Sequence, residues 1–442
     1  MKRFFIIITL IISPFVSAQT TESNTSKIWT LEACLQYALE NNISIKDATL
    51  NLEQAEVNYS ASKSLRLPNL YGSASETFSN GNSIDPITSD YVTDQIYSTN
   101  VSLNSSFTLF QGNQINNQIQ QNELLKNQSV FLQEEMKNNI ILSILENYLQ
   151  ILYAKEGIEI AENNLIATEK EVERAKARLD AGSIALSDYT EAQSQAATNK
   201  YAIIAAKNTY QQYIIALKQL LELDPTEDIE IQTLSSDKDY ALFQLDKLSI
   251  YNNALGILPE VNASKIAVEV QEKELEIAKG AYLPTLSLVS SLGSGFTSLD
   301  DNNFSDQFDI NFNQRIGLSL NIPIFNRNQT KAAVKTAQIN IEKAQIEKQT
   351  TEKEVYKKVE TAYQNAVATQ EQLIAAEASQ DAAEQTYKLA QKKYELGALS
   401  TTDLVISQNT YTNAQQNYIQ AKYLNILYNQ LLQFYQGNDI KL

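Results

Sequence analysis

The sequence contains no histidine, and so lacks the side chain that most often binds metals and most often moves protons near neutral pH. It has one cysteine, Cys34, which rules out a disulfide within the chain. Glycine and proline number only 12 and 7 in 442 residues, and the glycines form neither a phosphate-binding loop nor a G-x-S-x-G turn. Positive charge is also short: 35 Lys and Arg stand against 52 Asp and Glu, a net charge of −17. A surface of that sign repels nucleic acid. No later segment approaches the roughly 20 apolar residues that a membrane-spanning helix needs. Paired acids occur, as at Glu134 and Glu135, but on polar helical stretches they read as a solvated face. These absences argue against an enzyme, leave no cofactor or metal site in view, and exclude nucleic acid as a partner.

The N-terminus carries Lys2 and Arg3, an apolar run over residues 4–12, and Val16, Ser17 and Ala18 ahead of Gln19. This is the pattern of a secretory signal peptide, residues 1–18, cleaved near Ala18. Its removal takes away two positive charges and no negative ones, moving the net charge from −17 to −19. Cys34 lies well beyond that point and cannot be the lipid-bearing first residue of a lipoprotein; it reads as a small buried hydrophobe.

The chain is internally duplicated. AGSIALSDYTEAQS from Ala181 corresponds to LGALSTTDLVISQN from Leu396, which pairs Gly182 with Gly397 and Asp188 with Asp403 at an offset of 215. Phe110 and Phe325 share that offset, while Leu67-Pro68 and Leu283-Pro284, and Ala38-Leu39 and Ala254-Leu255, are 216 apart. Two repeats are expected, residues 19–225 and 226–442, joined near Asp224 and Pro225. Each should hold a helix, then a β-hairpin (about 70–110 and about 285–325), then a long helical hairpin (111–223 and 326–437).

The hairpins follow from alternation. Val101, Leu103, Phe107 and Leu109 face Asn100, Ser102, Asn104, Ser106 and Thr108, and the second repeat sets Ile316, Leu318, Leu320, Ile322 and Ile324 against Arg315, Ser319 and Asn321. Partner strands are expected at about 70–79 and 285–297, with polar loops at 80–98 and 298–311. The helices follow from the absence of proline over 111–224 and 326–442, interrupted only by a glycine hinge in each stretch. Positions 189, 192, 196, 199, 203, 206, 210, 213, 217 and 220 form one coiled-coil seam. Leu404, Ser407, Tyr411, Ala414, Tyr418, Ala421, Asn425, Tyr428 and Leu432 form its counterpart. A helix over 112–181 is roughly 105 Å long at 1.5 Å per residue, which suits a tube or a stalk.

Four strands per chain cannot close a membrane barrel alone, because such barrels need about 8 strands and tolerate no open edge. If the hairpins span a membrane, several chains must pool them. Taken singly, the alternating runs also suit a soluble sandwich and the heptads a filament. A structural or adhesive coiled-coil cell-surface protein is therefore an alternative reading, and a soluble periplasmic adaptor is another. The first does not require strands recurring at fixed positions, and the second would carry glycine-rich lipoyl-like and barrel domains that are missing here.

The layout resembles the TolC-like outer-membrane efflux proteins over essentially the whole mature chain. The matching motifs are the opening Ala38, Leu39 and Asn42, Leu67-Pro68 before a strand, and Leu109-Phe110-Gln111-Gly112 leading into a long helix. A helical tip carrying Gly182 and Asp188 follows, and the whole set is given twice. The resemblance implies a mainly α fold with a membrane β-barrel portion, in which a homotrimer pools twelve strands above a periplasmic tunnel of coiled-coil hairpins. It implies an export channel in the outer-membrane lipid. Its partners would be a periplasmic adaptor and an inner-membrane transporter of RND, ABC or MFS type. It assigns the tip turns and adaptor contact to Gly182, Ser183, Ile184, Tyr394, Gly397, Ala398 and Leu399. It assigns the pore constriction to Asp403, joined by Asp188 and Glu191. The family pattern has a second acid where Ile406 stands and an arginine where Leu399 stands. Asp188 and Asp403 read equally as helix caps, since an acid in a first turn satisfies free backbone amides.

Overall fold

The computed structural model describes residues 27–84, 89–233 and 246–440. The expected signal peptide, residues 1–18, lies outside them, as do residues 85–88 of the first polar loop. In chain order the elements are β1 (Lys27–Trp29), α1 (Leu31–Asn41), α2 (Ile43–Ser64), β2 (Asn69–Ile84), β3 (Tyr91–Gln111), α3 (Gln114–Asp180) and α4 (Leu186–Leu221). There follow β4 (Ile229–Ile231), α5 (Lys247–Ile257), α6 (Pro259–Gly280), β5 (Thr285–Thr297), α7 (Phe304–Ile310), β6 (Asn313–Asn321), α8 (Gln329–Glu395) and α9 (Thr401–Tyr435).

The duplication is visible element by element. The pairs α1/α5, α2/α6 and α3/α8 have 11, 22 and 67 residues in both members. At 1.5 Å per residue, α3 and α8 are each roughly 100 Å long. Every seam position expected on α4 and α9 is buried or half-buried, while Tyr201, Ile204 and Ile406 between them stay exposed. The apolar cores repeat as well. Ala38, Ile140, Ile144 and Leu217 pack in one cluster, and Ala254, Val355, Val359 and Leu432 occupy the corresponding places in another. The two short strands β1 and β4 pair in parallel beside the first core.

The other four strands form one antiparallel sheet in the order β2-β3-β5-β6. Its hairpins share a register: Asn69 pairs with Ser106 and Thr285 with Asn321, partners offset by 216 and 215. Residues opposite one another point to the same face. One face therefore carries Leu70, Ala74, Val101, Leu103, Leu288, Leu292, Ile316 and Leu318; the other carries Ser73, Ser102, Asn104, Ser291, Arg315 and Ser319. Among the described residues β2 and β6 are left as unpaired edges.

Several details differ from the expectation. β2 and β3 extend to Ile84 and back to Tyr91, well into the stretch expected as loop 80–98. The pairing shifts between Thr108 and Phe110, so Leu109 is a bulge and Phe110, opposite Leu286, takes its place on the apolar face. β6 ends at Asn321, ahead of Pro323, so Ile322 and Ile324 lie beyond the strand. The loop 298–311 contains α7. Glu135 is half-buried rather than solvated, and burial together with nearby Glu260 pushes its carboxyl above the ordinary range.

Both hairpins turn into their long helices through two successive left-handed residues, Gly112 and Asn113 (φ 54° and 60°) and Arg327 and Asn328 (φ 55° and 62°). At Gly112 space is decisive as well as conformation. A Cβ there would lie 2.2 Å from the Gly280 carbonyl oxygen, where the end of α6 crosses the start of α3.

Candidate pore entrance at the helical tip

The long helices start at the sheet and end, 67 residues later, in two interhelical turns. Each α-helix closes on a glycine in the left-handed region, Gly182 at φ 67° and Gly397 at φ 75°. Nothing lies within 4 Å of a Cβ built on either, so the conformation alone selects glycine here. The amides of Gly182 and Ser183 donate to the carbonyls of Leu179 and Arg178 at 2.9 and 2.8 Å. Those of Gly397 and Ala398 donate to Tyr394 and Lys393 at 3.0 and 2.8 Å. This double closure satisfies the last free carbonyls of each helix.

The acids expected at the constriction open the returning helices. Ser400 Oγ accepts from the Asp403 amide at 3.1 Å and donates to Asp403 Oδ2 at 2.7 Å. In the first turn the Ala185 amide donates to Asp188 Oδ2 at 3.3 Å, and Ala185 offers no side-chain acceptor in return. Asp403 is exposed and Asp188 half-buried. Glu191 accepts from Thr402 Oγ1 at 2.9 Å, which ties α4 to the first turn of α9.

Of the expected contact residues, Gly182, Ser183, Gly397 and Ala398 are exposed and Ile184 is half-buried. Tyr394 and Leu399 differ. Tyr394 is 2% exposed, packed with Tyr387, Ala390 and Leu404, and Leu399 leans on the same cluster. The Tyr394 side chain holds the second hairpin together instead of presenting a surface, whereas Leu399, like Ile184, is half-buried.

Sequence reasoning missed the groups that join the two hairpins. Arg178 Nη2 donates to the carbonyls of Tyr394 and Glu395, each at 2.8 Å, capping the end of α8 from the end of α3. Arg174 bridges Glu171 at 2.9 Å and Glu395 at 3.0 Å. Glu171 is buried and its Oε2 has no hydrogen-bond partner; burial pushes this carboxyl up, opposed by Arg174. Higher along the bundle, Thr168 Oγ1 accepts from Asn199 Nδ2 at 2.6 Å and from Gln408 Nε2 at 3.1 Å, linking α3, α4 and α9. The available signal was the pair of arginines four and eight residues before Gly182, and Asn199 on an otherwise apolar seam. Among the described residues no cluster of acids and cysteine is arranged to hold a metal ion, and no helix is long and apolar enough to cross a membrane.

The profile of the family described as "Outer membrane efflux protein" matches residues 34–222 and 250–435, most of the chain. The chain belongs to the outer membrane efflux protein family. This efflux protein is 25% identical to outer membrane efflux protein BepC of Brucella suis biovar 1 (strain 1330), over 89% of its own length and 82% of that protein. It is 23% identical to outer membrane protein TolC of Escherichia coli (strain K12), over 98% and 85% of the two chains. Its fold superposes on the crystal structure of VceC from Vibrio cholerae with a TM-score of 0.79 at 17% identity, covering 93% and 97% of the chains. The efflux protein is accordingly a passive channel of the bacterial outer membrane that extends into the periplasm, not an enzyme. Its four-stranded sheet and its tip stand at opposite ends of α3 and α8.

Proposed function

We propose that three copies of this efflux protein pool their sheets into one twelve-stranded barrel. Their helical hairpins continue its wall into a tunnel closed at the tip. The observation that carries this reading is the sheet itself: one apolar face, one Ser- and Asn-rich face, and two unpaired edges, β2 and β6. Open edges are intolerable in lipid, and closing the sheet on other copies removes them. On this reading the mature chain begins after Ala18 and consists of the repeats 19–225 and 226–442. The channel is the outer-membrane element of a tripartite export system, docking a periplasmic adaptor and, with it, an inner-membrane transporter. The exposed turn residues Gly182, Ser183, Gly397 and Ala398, with Ile184, are the surface offered to the adaptor.

On this reading Asp403 is one exposed carboxylate per chain at the entrance, with Glu191, held by Thr402, and Asp188, one turn before it on α4, supplying further acids. Two unit charges ~10 Å apart interact by about 0.4 kcal/mol in water and about 1.7 kcal/mol at an effective dielectric of 20. Such a ring filters cations without locking the pore. Planar-bilayer recordings of Asp403→Asn and Asp403→Ala test it. Asp403→Asn keeps an acceptor for the cap and loses the charge, so both variants should lose cation selectivity and divalent block, and only Asp403→Ala should loosen the helix start. Unchanged selectivity in both reduces Asp403 to a cap.

A further inference from the structure

The loop between β5 and β6 is built as firmly as the sheet. Gln307, with no exposed surface, sets its amide nitrogen against the carbonyls of Thr297, Asp300 and Asn302 at 3.0, 3.2 and 2.7 Å, while its Oε1 accepts from the Thr297 amide at 2.9 Å. Asn303 caps α7 by accepting from the Asp306 amide at 2.9 Å, and Asn311 Nδ2 donates to the Gly295 carbonyl at 2.9 Å. Ser294 Oγ donates to the Phe308 carbonyl at 2.5 Å. Ser294 pairs with Val101 and so points to the apolar face. The α7 part of this loop therefore folds onto the apolar side of the sheet, while Asp300 and Asn311 stand beside Asn100, Ser102 and Asn104 of the polar side.

Its position is set by the strands. β5 and β6 pair over nine residues, Thr285 to Gly293. Tilted by about 45°, nine residues rise roughly 22 Å, close to the ~25 Å apolar band of an outer-membrane barrel. α7 sits at the end of that band away from α8, where an aromatic girdle belongs. Phe296, Phe304 and Phe308 stack there with ring centroids 5.3 and 4.6 Å apart, and Phe304 and Phe312 remain 52% and 57% exposed. Between Phe308 and Phe312 on one side and Val101, Leu103 and Leu292 on the other runs a groove of about 590 Å³ floored by Gly72 and Ala74. Among the described residues no charged side chain lines it. A Cβ at Gly72 would meet nothing nearer than the Ser102 carbonyl oxygen at 3.9 Å, so the depth is open to a larger side chain that the sequence does not supply.

We propose that this groove holds one acyl chain of an outer-leaflet lipid, with α7 as an interfacial clamp over it. The groove opens onto the same apolar face as Leu288, Ile316 and Leu318, so it is continuous with the lipid-facing surface. The lack of charge suits a hydrocarbon chain and not a headgroup. The proposal rests on that face being the lipid face, as in the barrel reading above.

The full-length protein would be reconstituted into phosphatidylcholine vesicles brominated on the acyl chains, which quench nearby tryptophan. Trp29, the one native tryptophan, is buried in the helical part and gives a constant background. Phe308→Trp reports on the groove and Leu318→Trp on the open face; both should lose fluorescence. Adding Gly72→Phe should fill the groove, restoring the signal of Phe308→Trp and leaving Leu318→Trp quenched. Quenching of Phe308→Trp by aqueous acrylamide instead of the lipid, protection from both, or indifference to Gly72→Phe overturns the clamp. Failure of Leu318→Trp to be quenched in the parent chain overturns the barrel reading itself.

Discussion

The guanidinium of Arg178 lies 4.8 Å from the centre of the Tyr394 ring and donates to the Tyr394 backbone carbonyl at 2.8 Å. One side chain thus caps the end of α8, stacks on its last buried aromatic, and joins two hairpins that are 216 residues apart in sequence. Arg178→Ala should remove about 1 to 3 kcal/mol of local stability, since two charged hydrogen bonds to the carbonyls of Tyr394 and Glu395 are lost. Arg178→Lys should recover only part, because an ammonium cannot reproduce the planar fork. Hydrogen exchange at the amides of residues 396 to 398 should accelerate and single-channel conductance should rise. Unchanged exchange there would show that the end of α8 is held by the packing of Tyr387 and Leu404 within its own hairpin.

Glu171 gives the tip a pH dependence of opposite sign to the usual carboxylate. Its folded pKa is raised above the ordinary 4.5, first by burial and then by Glu395, with Arg174 opposing. The stability it contributes is fully present below 4.5 and is lost as pH rises through the folded value. Glu171→Gln should make the tip more protected from exchange than the parent at neutral pH, and the difference should vanish below pH 4.5. A tip that loosens at neutral pH on this substitution would mean that the Arg174 bridge outweighs the burial cost.

The architecture was legible because its signals are long and repeated. A proline-free run with seam residues in register specifies a helix, and the 215 and 216 offsets let one hairpin confirm the other. Short-range irregularities left weaker traces. The bulge at Leu109 moves Phe110 onto the apolar face only because β5 pairs there, and strict alternation assigns that face to Leu109. α7 has 7 residues, below the length at which period reveals a helix, and it is stabilised by Gln307, whose four hydrogen bonds no local pattern announces. The tip acids could be placed but not ranked, because capping and lining a pore call for the same residue in the same turn. The contact of Tyr394 with Arg178 joins residues 216 apart, which no local pattern shows.

Gly112 should be the least replaceable glycine at the sheet-to-helix junction. Gly112→Ala adds a Cβ 2.2 Å from a backbone oxygen at a φ of 54°, so strain and overpacking together should cost roughly 2 to 5 kcal/mol. Its counterpart Arg327 already has a side chain at φ 55° and is exposed, so Arg327→Ala should stay within about 0.5 kcal/mol. Thermal unfolding in detergent, followed by loss of helical circular dichroism, compares the two. Equal, small effects would mean that neither the left-handed φ nor the approach to Gly280 constrains residue 112.

The internal repeat also fixes how one copy should meet the next. Within the chain the second strand of the first hairpin pairs with the first strand of the second hairpin, Asn104 opposite Ser291. Carrying the 215 and 216 offsets forward, β6 should pair with β2 of a second copy in the equivalent register, Ser319 opposite Ser75 of the partner subunit. Both are small residues on the polar face, and directly opposed residues have Cβ atoms about 5 Å apart, within reach of a disulfide. The double variant Ser319→Cys with Ser75→Cys should therefore oxidise to covalently closed trimers on non-reducing gels. Ser319→Cys with Ser73→Cys, on the same face but two residues out of register, should not. Cys34 is fully buried and stays out of the reaction. Efficient closure by the second pair and none by the first would mean that the copies join in a different register, and that the repeat within the chain does not extend around the barrel.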